Sequence, residues 1–432
     1  MLEALQDWNI WWSKKGGGVP QNLLGQEREI LKAIKQYLDL NRIITLVGVR
    51  RAGKSTILYQ IIDYLLKNRI TRPENILFIN FEDIRFNSLS IDEWYNLYLE
   101  ELKPDGISYL FFDEIHYCQN WVNFVRSHVD RKSAKIFLTD SSSYLLPTEL
   151  ASILTGRKVT FEIYPVSFKE YLTFKQVDIQ GFGSKESALL RGYLKDYIDF
   201  GGFAELINID WSVSKKLLLE LFDDIITKDI VTRFSVDYTK IRDLSYYVLN
   251  NPGQRMTYRK LKSIFKVGSN VPQKYLGHLE DVFLCFTIKE YSEKVKEQLY
   301  SPKKVYPIDT GLINALAFKV SENTGPLLET IVYLELKRRN KEIYHGNFDN
   351  KYEVDFIIKS GKEVENIINV SYDLKNEKTR KREIDGLKIA SEKLQPKEIL
   401  LLTWQEEETI DLDGKYKLMI RPLWKWLLES EY

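Results

Sequence analysis

Over the first 165 residues the apolar positions alternate between two spacings. Residues 43–47 read Ile-Ile-Thr-Leu-Val, a short apolar run of the kind a buried strand shows. After a glycine loop, Ile57, Leu58, Ile61, Ile62, Leu65 and Leu66 recur at the three-and-four spacing of one helix face. Residues 76–81, 109–112, 135–139 and 158–164 predict four further strands, and residues 119–131 predict a helix before the fourth strand of the five. Strands alternating with helices predict a mostly parallel α/β sheet. The pattern changes near residue 185. Residues 186–235 read as helical with a break at Gly201-Gly202, and residues 240–304 as a small helical unit followed by a hairpin. Beyond about residue 326 the order is helix, strands, helix, strand. The expected divisions are therefore 1–185, 186–238, 239–310 and 311–432.

A chain of 432 residues with 44% hydrophobic and 13% aromatic positions is long enough for two to four domains with sizeable cores. Its formal net charge is only +1, which removes any global charge argument for nucleic acid or membrane. Any basic surface has to be local. Two cysteines far apart, Cys118 and Cys285, give no metal spacing and no disulfide framework, and they fit a reducing compartment. The N-terminus carries Glu3 and Asp7 and lacks the basic start of a secretory signal. No apolar run approaches the ~18 residues a membrane span requires. The expectation is a soluble cytoplasmic protein without a membrane partner.

The glycine loop is the first chemical signal. Gly48-Val49-Arg50-Arg51-Ala52-Gly53-Lys54-Ser55 matches G-x-x-x-x-G-K-[ST], and Thr56 continues into the helix. The match stands between a strand and an amphipathic helix, as a phosphate loop must. Glycines let backbone N–H groups close on phosphate oxygens at a helix N-terminus. Lys54 would face the β- and γ-phosphates of ATP, and the Ser55 hydroxyl would ligate Mg²⁺. Two roles are open to Arg50 and Arg51: phosphate contact, or pairing with acids after the second strand such as Glu82 or Asp83. The second is favoured, because backbone and lysine already serve the phosphate.

Residues 109–112 run into Asp113 and Glu114. A buried strand delivers such acids to its C-terminal edge, where open α/β sheets place ligands. Asp113 would hold Mg²⁺ through water, and Glu114 would orient and deprotonate the attacking water. A base there implies hydrolysis rather than binding alone. After the next strand, Thr139 or Ser141 could sense the γ-phosphate; equally, Ser143 could cap a helical run.

The ordered motifs resemble a known family. They are Trp11-Trp12, GVRRAGKST, FFDEIHYCQNW, LTDSSSYLLPTELASILTGR, YPVSFKEYL, FGGFAE, KVYPIDTGLINAL, LLETIVYLEL, EVDFII and PLWKWLL. In this order they resemble the archaeal and bacterial AAA-type ATPases fused to a restriction-nuclease-like region, the AAA_14/DUF4143 group. The resemblance implies an AAA-like P-loop core, a helical lid, a winged-helix segment and a C-terminal α/β restriction-endonuclease-like domain. It also implies that Arg157 could serve as an arginine finger or sensor arginine, against the plainer reading of a surface ion pair. Two positions depart from the family: Asp140 where glycine is usual, and Ala204 where its GGxP motif has proline.

The segment 240–304 holds 13 Lys and Arg against 6 Asp and Glu, while the remainder of the chain is net acidic. Thr257 and Ser269 would cap two helices separated by a turn at Gly268, in helix-turn-helix order. Val271, Tyr275, Leu279 and Phe283 would form the buried face, and Asn270, Gln273, Lys274 and His278 the open one. Lys294, Lys296, Lys303 and Lys304 would lie on a wing. DNA contact is the expectation, and a protein-docking module is the alternative. In the terminal region, nucleases of the resembled fold hold Mg²⁺ with a Glu, an Asp and a Glu-x-Lys on successive elements. Glu329, Asp355 and Glu353 supply acids, but Asn369 and Ser371 replace the Glu and Lys, and Lys375 lies beyond the strand. The expectation is a degenerate nuclease site. Self-association is left open.

Overall fold

The structure is a computed structural model that describes residues 1–13, 18–143, 156–179, 181, 183–317, 324–349 and 351–429. The expected cap at Ser143 opens a run that lies outside the described residues, as does part of the LTDSSSYLLPTELASILTGR motif. The chain forms two compact units, 1–164 with 281–283, and 165–280 with 284–432. The break falls ahead of the expected position 185 because helix 168–174 packs on helices 184–200 and 423–428 of the second unit.

In the first unit, five strands form one parallel sheet. They are β1 (Ile43–Val47), β2 (Ile76–Asn80), β3 (Ser108–Asp113), β4 (Ala134–Asp140) and β5 (Lys158–Glu162), in the order β2-β3-β4-β1-β5. Each predicted strand is present. The strands β1 and β4 are buried along their whole length, which is why they read as apolar runs rather than alternations. Helix α1 (Lys54–Lys67) follows β1, and α2 (Trp121–Asp130) precedes β4. The edge strand β2 is covered by the N-terminal segment. Asn9 pairs through its amide with both the N–H (2.7 Å) and the carbonyl (2.8 Å) of Phe78, and Trp12 Nε1 donates to the Ile76 carbonyl at 2.8 Å. Trp11 is buried against Phe78, edge to face. The paired tryptophans thus protect an edge that would otherwise recruit another strand.

The second unit begins with α3 (Phe168–Phe174), α4 (Ser184–Phe200) and α5 (Trp211–Asp224). Three family motifs meet there. Val166 N–H donates to the Gly202 carbonyl at 2.8 Å, and Gly202 N–H donates to Asp309 Oδ2 at 2.7 Å. Asp309 also caps α9 (Thr310–Leu316), accepting from Leu312 N–H at 2.8 Å. A Cβ at Gly202 would lie 2.7 Å from the Val166 carbonyl oxygen, so this glycine is required by close approach. The YPVSF, FGGF and IDTG motifs are therefore one packing knot.

Next come α6 (Tyr238–Leu249), β6 (Arg255–Met256), α7 (Tyr258–Phe265), α8 (Val271–Asp281), β7 (Cys285–Ile288) and β8 (Lys303–Pro307), with a short helix, Val295–Tyr300, between β7 and β8. The three strands form a small antiparallel sheet in the order β6-β8-β7. The terminal region is α10 (Gly325–Arg338), β9 (Glu342–Phe348), β10 (Tyr352–Ser360), β11 (Glu363–Val370), α11 (Glu377–Leu394), β12 (Glu398–Thr403), β13 (Glu408–Leu412), β14 (Tyr416–Pro422) and α12 (Leu423–Leu428). Its mixed six-stranded sheet runs β13-β14-β12-β11-β10-β9. Val354, Ile357, Ile367, Leu387, Ile399 and Leu401 join the sheet and α11 in one core. No described helix is long and apolar enough to cross a membrane.

Candidate active site

The glycine loop leaves the C-terminal end of β1. Gly48 sits so close to the next strand connection that a Cβ would lie 2.1 Å from the Ile163 carbonyl oxygen. Gly53 has φ +95° and stands at the start of α1, whose N-terminus has no side-chain cap. Both glycines are therefore demanded by geometry, and the first N–H groups of a 14-residue helix are left to an anion. Ala52 is buried, and the loop is braced from outside by Arg28, which donates to the Ala52 carbonyl at 2.8 Å and to the Tyr164 carbonyl at 2.9 Å. Nothing in the local sequence singles out Arg28.

Lys54 is buried and donates to the carbonyls of Gly48 (3.0 Å) and Val49 (3.2 Å), with Glu114 Oε1 at 3.5 Å. Arg50 pairs with Glu82 at 2.9 Å, the favoured of its two expected roles. Arg51 has φ +64° and an exposed side chain. Thr56 lies in the first turn of α1 beside Ser55.

The strand order explains how the acids reach the loop. Strand β4 stands between β1 and β3, so Asp113 and the loop are separated by one strand, about 10 Å across the sheet. Two hydroxyls bridge that gap. Ser55 Oγ donates to Asp113 Oδ2 at 2.7 Å, and Thr139 Oγ1, from the end of β4, donates to Asp113 Oδ1 at 2.6 Å. Thr139 Oγ1 also accepts the Glu114 N–H at 2.8 Å. Glu114 needs that anchor, because it has the left-handed φ of +49° that a β-carbon disfavours. Its carboxylate accepts from Ser141 N–H at 3.2 Å. His116 Nδ1 lies 3.5 Å from Glu114 Oε2 and 3.3 Å from Asp140 Oδ1. Asp140, the departure from the family glycine, is buried and accepts from Ser142 N–H at 2.9 Å.

Burial, and then the neighbouring Glu114 charge, push the Asp113 carboxyl up to about 6 against the hydrogen bonds from Thr139 and Ser55 and the Lys54 charge. An acid whose charge is costly here is suited to a divalent cation, which would supply the missing positive charge.

Arg157 is not brought to this site within its own chain. Its carbonyl accepts from Ile43 N–H at 2.8 Å, so it lies at the N-terminal edge of the sheet, while the loop leaves the C-terminal edge. The five residues of β1 between them span roughly 16 Å. Its side chain pairs with Asp130 at 2.6 Å, the plainer of its two readings. A sensor role in cis is thereby corrected, and only a role toward another copy stays open.

Two further expectations change. His278 is buried and stacks on Phe234, so it does not belong to the open face of α8, whereas Gln273 and Lys274 are exposed. Lys304 is buried in the second unit and leaves the set of wing lysines, as does Lys296, which lies on the helix Val295–Tyr300 with Lys294 at its N-cap, and Lys303 donates to Tyr258 Oη.

Residues 40–172 match the family described as AAA domain, a match that spans the five-stranded sheet and the phosphate loop. Residues 191–323 match a domain of unknown function, DUF8612, where the motifs had suggested the DUF4143 group. The chain belongs to the same family as the uncharacterized protein MJ1544 of Methanocaldococcus jannaschii, with 36% identity over 416 residues, 92% of this chain and 91% of that one. It is 33% identical over 343 residues to an uncharacterized protein of Haemophilus influenzae, covering 77% and 84% of the two chains. Among solved structures it is similar to the Walker-type ATPase paby2304 of Pyrococcus abyssi, at 14% identity and a TM-score of 0.44, over 69% of this chain and 97% of that one. It is also similar to the Aeropyrum pernix ORC1 protein in complex with DNA, at 13% identity and a TM-score of 0.32, over 69% and 94%.

Proposed function

We propose that the chain hydrolyses ATP in a Mg²⁺-dependent reaction and couples turnover to DNA or nucleoprotein bound through residues 240–304. The observation that carries the ATPase reading is the hydrogen-bonded set Ser55–Asp113–Thr139–Glu114, which joins the loop to an acid pair across an intervening strand. The backbone of residues 48–56 would cradle the phosphates, and Lys54 would exchange its loop carbonyls for phosphate oxygens. Ser55 and, through water, Asp113 would hold Mg²⁺, which when bound neutralises phosphate charge. Glu114 would take the proton of the attacking water, held in place by Thr139 through its backbone and by Ser141 through its carboxylate. Any role for Arg157 would be toward the nucleotide of a neighbouring copy.

The DNA reading rests on the basic segment and on its element order: helix, short strand, two helices, then two antiparallel strands joined through a short helix, Val295–Tyr300, an order compatible with a winged helix whose wing is replaced by that helix. Exposed Lys260, Gln273, Lys274 and Lys296 would make the phosphate contacts. The test is phosphate release with and without single-stranded, duplex and branched DNA. Stimulation lost in Glu114→Gln supports the coupled reading. Turnover indifferent to every DNA favours a nucleotide-gated protein switch, and full turnover in Glu114→Gln refutes the base assignment.

A further inference from the structure

The terminal region presents the acids that the resembled nuclease fold would use for Mg²⁺: Glu329 on α10, and Glu353 and Asp355 on β10. The structure places a cation among them, and it belongs to the chain itself. Lys304 Nζ lies 2.9 Å from Asp355 Oδ1, 2.9 Å from Glu353 Oε1 and 3.4 Å from Glu329 Oε2. One ammonium thus touches all three carboxylates, the place a divalent ion would take. Lys304 is only 2% exposed. It comes from β8 of the small sheet, and Tyr306, two residues along the same strand face, donates to Glu329 Oε2 at 3.2 Å. Tyr306 is itself fixed by stacking on Tyr333, ring centroids 4.7 Å apart.

The remaining groups do not complete a metal site. The second Asp355 oxygen, Oδ2, accepts the Val370 N–H at 2.9 Å. Asn369 turns its amide to the Asp355 N–H, the Glu353 carbonyl and Glu383, so its oxygen is not offered to a metal. Lys375 is exposed, and the lysine that reaches the acids is Lys304.

We propose that Lys304 is a built-in substitute for the divalent ion, which closes the nuclease-like carboxylate cluster Glu329–Glu353–Asp355 to metal. The two do not fit together: a second cation in van der Waals contact with a buried ammonium would be repelled, and the three acids have one shared centre. Removing the ammonium without disturbing the acids should open a latent site for a hard cation with oxygen ligands, Mg²⁺ or Mn²⁺.

The test titrates Mn²⁺ into the full chain without nucleotide, read by the electron paramagnetic resonance of unbound Mn²⁺. Wild type, Lys304→Met, Lys304→Gln and Lys304→Met with Asp355→Asn are compared; any metal at the phosphate loop is common to all four and cancels. The expected result is one additional Mn²⁺ per chain in Lys304→Met or Lys304→Gln, at least tenfold tighter than anything wild type binds there, and lost with Asp355→Asn. Two neutral replacements guard against one of them failing to fold. Mn²⁺ bound by wild type and released by Asp355→Asn would overturn the proposal, as would folded Lys304 variants that gain no site. Cleavage of supercoiled DNA by wild type that vanishes in Asp355→Asn would also overturn it and make Lys304 a catalytic lysine instead.

Discussion

Thr139→Val is the sharpest perturbation of the ATPase site, because it removes one oxygen and keeps the shape. That oxygen donates to Asp113 at 2.6 Å and accepts the Glu114 N–H at 2.8 Å, in a position with no solvent exposure. A hydrogen bond to a charged group contributes about 1.5–3 kcal/mol, and a buried N–H left without an acceptor costs about 1–3 kcal/mol. The expected destabilisation is therefore roughly 3 kcal/mol, read as a shift in urea midpoint at unchanged slope. The Asp113 carboxyl, already pushed up to about 6, loses a hydrogen bond that holds it down and should rise further. The left-handed backbone at Glu114 loses its anchor, so the base drifts. If about 2–3 kcal/mol of that loss is expressed only in the transition state, turnover falls roughly 30- to 150-fold. ATP affinity, set by the loop that Thr139 does not touch, should change less than about threefold. Thr139→Ser keeps the oxygen and should keep most activity. Phosphate release, equilibrium nucleotide binding and urea denaturation are measured on all three proteins. A Thr139→Val enzyme that turns over within twofold of wild type would refute the anchoring role.

Lys54→Ala should abolish tight ATP binding, and Glu114→Gln should bind ATP normally while losing turnover; equilibrium binding and phosphate release on the same preparations separate the two. Reversing the exposed Lys274 and Lys296 to Glu should weaken duplex binding and lower the slope of log affinity against log salt by about one per lost contact. An unchanged slope would leave a protein-docking module. Asp309 is pushed up to about 6 by burial, against hydrogen bonds from Gly202, Leu312 and Gly311 N–H. Its folded value exceeds its unfolded one, so the group's contribution is greatest in acid and falls as pH rises from about 4 through 6, by about 3 kcal/mol in all. Asp309→Asn should flatten stability in that window, and a wild-type-minus-variant difference equal at pH 4.5 and 7.5 would argue against it.

The first sheet was legible because its inner strands are buried on both faces, where most side chains must be apolar and the period needs no arbitration, whereas the edge strand β5 is half-buried throughout. The phosphate loop was legible for a different reason: Gly48 and Gly53 are fixed by backbone geometry that only glycine meets, so the motif is written into consecutive positions. The strand order was not legible. Nothing in residues 134–140 says that they lie between β1 and β3, and without that order Thr139 could equally be a phosphate sensor or a turn residue. Once β4 is central, its last hydroxyl has the Asp113 carboxylate and the Glu114 N–H within reach. The GGF and IDTG motifs carried the resemblance without a role of their own, and in the structure they satisfy one another at Gly202 and Asp309.

The terminal region shows where reading by position fails most instructively. Position 369 should hold an acid and position 371 a lysine, and the replacements there predict a weakened metal site. The structure changes the meaning of those replacements. A half-buried carboxylate pair on β10 and α10 cannot simply lose its metal, since unbalanced charge in a partly desolvated setting is costly. Some cation must replace it, or the acids must protonate or mutate. Both accommodations are present: Lys304 arrives from β8, and Glu329 is held toward its neutral form. No periodicity links residue 304 to residues 329, 353 and 355, because the lysine sits in a different sheet from Glu353 and Asp355 and Glu329 sits on a helix. The basic count over 240–304 assigned it to a DNA-facing wing for the same reason, counting its charge without its surroundings. A lysine that alternates with an aromatic on a short strand, Lys304 and Tyr306, is the only local hint, and it becomes informative once an acidic cluster lacking its own lysine is known to need a partner.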